Sequence, residues 1–129
     1  MYKELKGIID NSYSKYSDFK VACIVKMKDD TYFKGVNIEN PSFKDGLCAE
    51  QVAIGTAIAE GYTKGDFESI YLLGSSSHSI TPCFLCRQLL VEFFEENKLV
   101  ITYDSEGNET KYKVSDLCPH TFSEEDLND

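Results

Sequence analysis

The sequence predicts an α/β fold in which helices pack on a β-sheet. Two observations support this prediction. After residue 66, strand-like and helix-like segments alternate, as is typical of a sheet covered by helices. Before that point, two β-rich segments lie so close in sequence that they should pair as a hairpin. No internal repeat, low-complexity segment or linker interrupts the sequence, so residues 1–129 are expected to form one domain.

The first half of the chain supplies a helix, a hairpin and a second helix. Residues 2–12 have apolar side chains at helical spacing. Residues 20–27 and 31–36 are β-rich, and the short connection between them favours an antiparallel pair. Residues 48–60 are rich in Ala and Ile and predict a helix, which Gly61 should end.

The second half adds three strands and a third helix. Residues 67–74 contain a continuous apolar stretch and predict a buried strand. Residues 82–97 predict a helix with Pro82 at its start, a position that proline favours. Residues 99–103 and 109–114 predict two strands joined by a turn, and the remaining tail ends in acidic residues.

Composition and charge limit the classes of function. The chain has 129 residues, 42% of them apolar, and a net charge of −9. A polynucleotide partner is not expected, because the sequence has no Lys/Arg cluster to face the phosphates. It has no run of about 18 apolar residues and no signal-peptide core, so we expect a cytoplasmic protein without a membrane partner. The five cysteines, an odd number, indicate metal chemistry rather than a disulfide framework.

The strongest chemical signal is a set of three cysteines and one glutamate. Cys48 lies two residues before Glu50 at the start of one predicted helix. Cys83 and Cys86 form a Pro-Cys-x-x-Cys motif at the start of another. Three thiolates can fill three corners of a zinc tetrahedron and leave the fourth for water, as in catalytic zinc sites. Helix N-termini would stabilise the thiolates, and Glu50 is suited to flank that water.

Other interpretations of these residues remain open at this point. A C-x-x-C pair alone is also typical of a redox site or of half of a structural zinc site. A closed zinc site needs a fourth ligand, but Cys23 in an apolar strand and Cys118 in the tail have no partner nearby in sequence. Glu50 could be a solvated helix residue, and Gln51 could lie on the surface or beside the metal.

Several short motifs follow one another along the chain. They are Tyr16-Ser17-Asp18-Phe19, Asn37-Ile38-Glu39-Asn40, Cys48-Ala49-Glu50, Pro-Cys-x-x-Cys-Arg-Gln over residues 82–88, and Pro119, Phe122 and Leu127 in the tail. In order and spacing, this combination resembles the small homotetrameric cytidine deaminases over nearly the whole chain. The most specific part is Cys-Ala-Glu together with Pro-Cys-x-x-Cys-Arg-Gln.

The resemblance implies a fold and a reaction. The fold would have three layers, with a five-stranded mixed sheet and helices on both faces. Cys48, Cys83 and Cys86 would hold Zn²⁺, and Glu50 would shuttle protons. The reaction would be hydrolytic deamination of cytidine, and of deoxycytidine, to the uracil nucleoside and ammonia, a step of pyrimidine salvage.

The resemblance also implies how the substrate is held. Asn37 and Glu39 would form hydrogen bonds with the ribose hydroxyls. Ala49 would offer its backbone to the pyrimidine, and Phe19 would pack against the base. Phe122 would reach the substrate site of a neighbouring subunit in a homotetramer.

The chain departs from the family pattern at three places. Gln51 stands where the family has an arginine, so Arg87 alone remains to compensate the charge of the thiolates. Phe43 replaces a tyrosine on the sugar side, which removes one hydroxyl contact. Phe84 and Leu85 replace a small pair between the second and third cysteines, so the outer wall of this motif should be bulkier.

Three alternative functions make different predictions. A deaminase of another amino-pyrimidine nucleoside, such as the blasticidin type, is less consistent with an intact Asn37 and Glu39 pair. A structural zinc module predicts a fourth protein ligand. A thiol redox role predicts a disulfide between Cys83 and Cys86, and it leaves Glu50 unexplained.

Overall fold

Five strands form one mixed sheet in the computed structural model, which describes residues 1–42 and 45–128. The strands are β1 (Val21–Met27), β2 (Tyr32–Val36), β3 (Phe67–Gly74), β4 (Leu99–Tyr103) and β5 (Glu109–Lys113). Their order across the sheet is β2-β1-β3-β4-β5. Strands β3 and β4 are parallel, and the other neighbouring pairs are antiparallel. The expected hairpin and the five-stranded mixed sheet are confirmed.

Helices cover both faces of this sheet. The helices of the described chain are α1 (Tyr2–Ile9), α2 (Ala49–Ala59), α3 (Phe84–Phe93), α4 (Val114–Leu117) and α5 (Glu124–Leu127), of which α5 buries no residue. Helix α1 packs on one face, and α2, α3 and α4 contribute to the core on the other. Among the described helices, none is long and apolar enough to cross a membrane. The predicted α/β fold with helices on both faces is therefore confirmed.

Strand β1, which lies between β2 and β3, supplies apolar side chains to both cores. Ala22 and Ile24 pack with α1, whereas Cys23, Val25 and Met27 pack with the core that includes α2 and α3. Successive residues of a strand point to opposite faces, so a strand covered on both sides is apolar over most of its length, here from Val21 to Val25. This explains why β1 shows no polar alternation in the sequence.

Helix α2 ends in a Schellman motif, as the glycine after it predicted. Gly61 has φ +104°, a conformation that glycine adopts without strain. Its N–H donates to the carbonyl of Ile58 at 3.0 Å, and the N–H of Tyr62 donates to the carbonyl of Ala57 at 3.1 Å. The prediction that Gly61 stops this helix is confirmed.

Helix α3 is shorter at both ends than the predicted range of residues 82–97. Cys83 is its N-cap in an extended conformation, so Pro82 precedes the cap instead of occupying the first turn. At the other end, Phe94 is also extended, and its ring packs against Phe67 with 4.9 Å between centroids. Core packing of Phe94 thus ends the helix earlier than the periodicity suggests.

The two chain ends differ from the expectation as well. Helix α1 ends at Ile9 rather than at residue 12, because Ser12 and Tyr13 form hydrogen bonds with Asn37 instead. Val114, expected to end the last strand, begins α4 and is buried. The two short helices of the tail were not predicted.

Candidate active site

Three cysteine side chains meet at the N-termini of α2 and α3. Cys48 is the N-cap of α2, Cys83 is the N-cap of α3, and Cys86 lies in the first turn of α3. Their sulfur atoms lie within 4.8 Å of one another, with 3.8 Å between those of Cys48 and Cys83. Sulfurs bound tetrahedrally to one zinc ion at ~2.3 Å are roughly 3.8 Å apart, so the donor set fits zinc.

The cluster has three protein donors rather than four. Across residues 1–42 and 45–128, no further Cys, His, Asp or Glu joins this group of ligand atoms. Cys23 is buried in the core, and the half-buried Cys118 directs its S–H towards the carbonyl of Arg87 at 3.7 Å. All five cysteines are free. This geometry matches an open zinc site and lacks the fourth ligand that a structural site requires.

Gln51 holds the first ligand at the start of α2. The backbone N–H of Cys48 donates to Oε1 of Gln51 at 2.8 Å. In return, the side chain of Cys48 faces the backbone N–H of Gln51, which completes a capping box. Gln51 thus lies beside the metal cluster and fixes the backbone of one ligand.

The close sulfur atoms influence one another's protonation. Hydrogen bonding from the Cys86 thiol, and then from the Cys83 thiol, lowers the pKa of Cys48 to about 6. The same contact with Cys48, followed by burial, raises the pKa of Cys86. The first negative charge of the cluster is therefore held at Cys48, at the positive end of α2.

Glu50 is buried next to this cluster. Its side chain lies in the first turn of α2, lines a cavity and is only 5% exposed. Burial is the main cause that raises the pKa of Glu50 to about 7. A carboxyl group with such a pKa can both accept and release a proton near neutral pH. Glu50 is not a solvated helix residue, and its catalytic role remains a prediction.

The cavity beside the cysteines has a volume of about 400 Å³, a size suited to a small molecule. It brings together five residues that the sequence singled out as catalytic or substrate-binding: Phe19, Asn37, Glu39, Ala49 and Glu50. Cys48 and Cys83 also line it. The predicted site residues of four separate segments thus share one cavity.

The wall that carries Asn37 is tied to its neighbours by backbone and side-chain bonds. Its Oδ1 accepts a hydrogen bond from the N–H of Val21 at 2.9 Å and another from the hydroxyl of Ser12. Its Nδ2 donates to the carbonyl of Phe19 at 2.8 Å. Asn37 therefore organises the cavity wall within its own chain, and one Nδ2 hydrogen is left for a further acceptor.

Glu39 holds the loop before β1 in place at the same wall. Its Oε1 accepts hydrogen bonds from the backbone N–H groups of Tyr16 and Ser17, both at 3.1 Å, and its Oε2 accepts one from the hydroxyl of Ser17. The bonds from Ser17 are the main cause that lowers the pKa of Glu39. The carboxylate is therefore ionised and fixed in orientation where it faces the cavity.

The guanidinium of Arg87 lies between α3 and α4. It donates to the carbonyls of Pro82 at 2.8 Å and Leu117 at 3.0 Å, and to the hydroxyl of Thr81 at 2.9 Å. It also stacks on the ring of Phe84, 4.4 Å from the centroid. These contacts join the segment before α3 to α4, and the predicted compensation of thiolate charge by Arg87 remains a prediction.

The bulky pair between the second and third cysteines, Phe84 and Leu85, lies outside the cavity. Phe84 and Leu85 are 78% and 61% exposed, which agrees with the expected bulky outer wall. Phe122 is 57% exposed and does not line the cavity of its own chain. Its carbonyl accepts a hydrogen bond from Gln88 at 2.8 Å, which attaches the tail to α3. Phe43 lies outside the described residues.

Sequence reasoning missed part of the cavity lining. Val21, Leu47, Ile80 and Thr81 all contribute to it. Leu47 and Thr81 stand next to motif residues, so adjacency was the available signal. Leu47 is held there by two backbone hydrogen bonds with Ile38, of 2.8 and 2.9 Å, a pairing that no sequence pattern indicates.

A family model for the zinc-binding region of cytidine and deoxycytidylate deaminases matches residues 1–103. The chain belongs to this family. A cytidine deaminase from Mycoplasma genitalium is 35% identical over 120 residues, which cover 93% of this chain and 91% of that protein. A blasticidin-S deaminase from Bacillus cereus is a weaker match, 26% identical over 118 residues, with 84% and 81% of the two chains covered.

A solved structure of the cytidine deaminase family extends the similarity to the fold. The crystal structure of a cytidine deaminase from Burkholderia pseudomallei superposes with a TM-score of 0.88 at 32% identity. The alignment covers 93% of this chain and 94% of that chain. The cytidine deaminase fold expected from the motifs is confirmed, and zinc is the metal that the three-cysteine cluster of this family member fits.

Proposed function

We propose that the protein is a zinc-dependent deaminase that converts cytidine and water to uridine and ammonia, and accepts deoxycytidine as well. One observation carries this proposal. The sulfur atoms of Cys48, Cys83 and Cys86 lie within 4.8 Å of one another, beside a cavity that Glu50 lines. Membership of the cytidine deaminase family supports the same substrate class.

The three cysteines and Glu50 would divide the chemistry between them. Zinc bound by Cys48, Cys83 and Cys86 would acidify a water molecule and so supply the nucleophile for C4 of the pyrimidine. Glu50 would take the proton of this water and deliver it to N3 of the ring. It would then carry the remaining proton of the hydroxyl added at C4 to the amino nitrogen, so that the C4–N bond breaks, ammonia leaves and a carbonyl forms at C4. Burial of Glu50 keeps bulk water away from these transfers.

The cavity wall would orient the nucleoside. Asn37 and Glu39 would bind the ribose hydroxyls through the Nδ2 hydrogen and the carboxylate lone pairs that remain after their contacts within the chain. The backbone N–H of Ala49, in the first turn of α2, has no acceptor within the helix and would meet the pyrimidine carbonyl. Phe19, 39% exposed, would pack against the base.

We also propose a homotetramer with substrate sites shared between subunits. Several exposed large apolar side chains lie in two regions. Ile38 and Leu47 line the cavity, and Phe84, Leu85, Phe122 and Leu127 lie on α3 and the tail. Exposed apolar patches are typical of protein interfaces. Phe122 would enter the site of a neighbouring subunit, since it does not line the cavity of its own chain.

The proposed setting is the cytoplasm, where the reaction would return cytidine to the uridine pool in pyrimidine salvage. Five free cysteines, three of them zinc ligands, suit a reducing compartment. The net charge of −9 suits a small neutral nucleoside better than a nucleic acid polymer.

A comparison of substrates tests the proposed activity. Zinc-loaded protein is incubated separately with cytidine, deoxycytidine, cytosine and blasticidin S, and products are followed by chromatography together with an ammonia assay. Cytidine and deoxycytidine should be converted with one ammonia per nucleoside. Cytosine should react far more slowly, because it lacks the hydroxyls that Asn37 and Glu39 bind.

Two results of this comparison would contradict the proposal. Faster consumption of blasticidin S than of cytidine would support the alternative nucleoside class. A zinc-loaded protein that converts none of the four compounds would favour the structural zinc module.

A further inference from the structure

Gly35 of the edge strand β2 lies directly beneath the first turns of α2. A Cβ atom added to Gly35 would lie 2.3 Å from the carbonyl oxygen of Ala49 and 2.5 Å from the backbone nitrogen of Ala53. It would also lie 3.1 Å from the Cα of Ala53. Both alanines are fully buried, so the helix backbone rests on the glycine.

Glycine is required at position 35 because there is no room for a Cβ atom, and not because of its backbone conformation. Gly35 pairs with Cys23 in the regular antiparallel register of β1 and β2, and its φ is not in the left-handed region. The atoms that a Cβ would meet belong to the helix backbone, which cannot rotate away as a side chain would. A methyl group at position 35 must therefore move α2 relative to the sheet.

The required movement is large on the scale of a metal site. Contacts of a real Cβ are essentially never under 3.0 Å, so a 2.3 Å approach demands a shift of at least 3.0 − 2.3 = 0.7 Å. Metal–ligand distances tolerate only about 0.2 Å. Ala49 lies between Cys48 and Glu50, whereas Cys83 and Cys86 are carried by α3. Raising α2 thus separates one ligand and the glutamate from the other two ligands.

We propose that Gly35 is a positioning residue for the zinc centre: by letting α2 approach β2 backbone to backbone, it sets the position of Cys48 and Glu50 relative to Cys83 and Cys86. This inference rests on the zinc site of the proposed function. Gly35 lies in a strand outside the three-cysteine motifs, and it would fix the distance between Cys48 and the other two ligands.

The variant Gly35→Ala tests the inference, with Gly55→Ala as the matched control. Gly55 lies in α2 itself, and nothing stands within 4 Å of an added Cβ. Three quantities are measured for each protein: the zinc affinity by chelator competition, the absorption spectrum of the cobalt(II)-loaded protein, and kcat for cytidine. Gly35→Ala should lose at least ~10-fold in zinc affinity, alter the cobalt spectrum and lower kcat, whereas Gly55→Ala should match the parent.

Several outcomes are decisive. A Gly35→Ala protein with parental zinc affinity and cobalt spectrum overturns the inference, even if it unfolds at a lower temperature. If Gly35→Ala does not fold, the double variant Gly35→Ala/Gly55→Ala is used, since alanine stabilises the helix interior. A parent that binds zinc without deaminating cytidine contradicts the proposed function but leaves the metal readouts valid. A parent that binds no metal contradicts both.

Discussion

Asn37 and Glu39, proposed to bind the sugar, are also the side chains that hold the cavity wall together. Asn37 joins Ser12, Phe19 and Val21, and Glu39 accepts hydrogen bonds from the loop before β1. Groups fixed in this way are oriented before a ligand arrives, which lowers the entropic cost of binding. Substitution of either residue should therefore affect stability as well as nucleoside affinity.

The contacts of Glu39 predict a pH dependence of stability. Its pKa in the folded protein is below the ordinary value of 4.5, chiefly because Ser17 donates hydrogen bonds to it. A depressed pKa stabilises the fold above the unfolded value, and this contribution is lost as pH falls through the folded value. Glu39→Gln should therefore remove part of the acid-induced loss of stability below pH 4.5, measured as urea midpoints over a pH series.

The control for this prediction is Glu60→Gln, at an exposed glutamate where α2 ends. It should follow the parent's pH profile. If Glu39→Gln and the parent lose stability in parallel on acidification, the hydrogen bonds from Ser17 do not favour the ionised form.

At the scale of single elements, the start of α2 determines how one zinc ligand is presented. Gln51 accepts a hydrogen bond from the backbone N–H of Cys48 at 2.8 Å, as glutamine does at the third position of a capping box. The family pattern has an arginine at this position, and an arginine side chain has no acceptor. Gln51 thus caps the helix and fixes the backbone of Cys48, at the position where the family pattern has a residue that compensates the thiolate charge.

Substitutions of Gln51 should show how much the helix cap contributes to stability. Gln51→Ala removes the acceptor and should cost about 1 kcal/mol, or roughly 3–5 °C in Tm. Gln51→Glu retains the acceptor and should cost less. Differential scanning calorimetry of the zinc-loaded proteins checks this order. Equal Tm values for the alanine variant and the parent would show that the cap contributes nothing to stability.

The sequence predicted elements well wherever local signals and packing agree. The helix ended by Gly61 and the strand β3 have the expected positions, because a glycine stop and a continuous apolar run are local features. The boundaries of α3 were wrong because Cys83 is a cap and Phe94 leaves the helix to pack on Phe67. Such tertiary contacts override periodicity.

The residues of the candidate site also fall into two groups, those that the sequence predicted and those that depend on tertiary contacts. The three cysteines and Glu50 could be found from the sequence, since metal ligands at helix starts have a recognisable spacing. The hydrogen bonds from Arg87 to the carbonyls of Pro82 and Leu117, and the cap formed by Gln51, could not, because these partners are backbone groups. Leu47 and Ile80 become part of the cavity only through the tertiary fold.

For the whole molecule, the distribution of exposed apolar side chains supports the proposed homotetramer. Phe122→Ala should raise KM for cytidine and weaken the assembly while zinc content stays constant, since the ring is proposed to enter a neighbouring site. Light scattering and steady-state kinetics check both effects. Tyr32→Ala, at an exposed aromatic of the edge strand, is the control and should leave KM unchanged.

A fully active monomer at assay concentration would contradict the shared-site proposal. It would leave the zinc chemistry of the individual chain intact, because the three ligands and Glu50 all come from one subunit.

The central claim is that a three-cysteine zinc site and a buried glutamate together make this chain a deaminase. The most direct test is kcat for cytidine, measured for the parent and for Glu50→Gln at equal zinc content. The variant should retain its fold and its zinc, yet lose about 10² to 10⁴-fold in kcat, the usual contribution of a general acid–base. Near-parental turnover by zinc-loaded Glu50→Gln would contradict the claim.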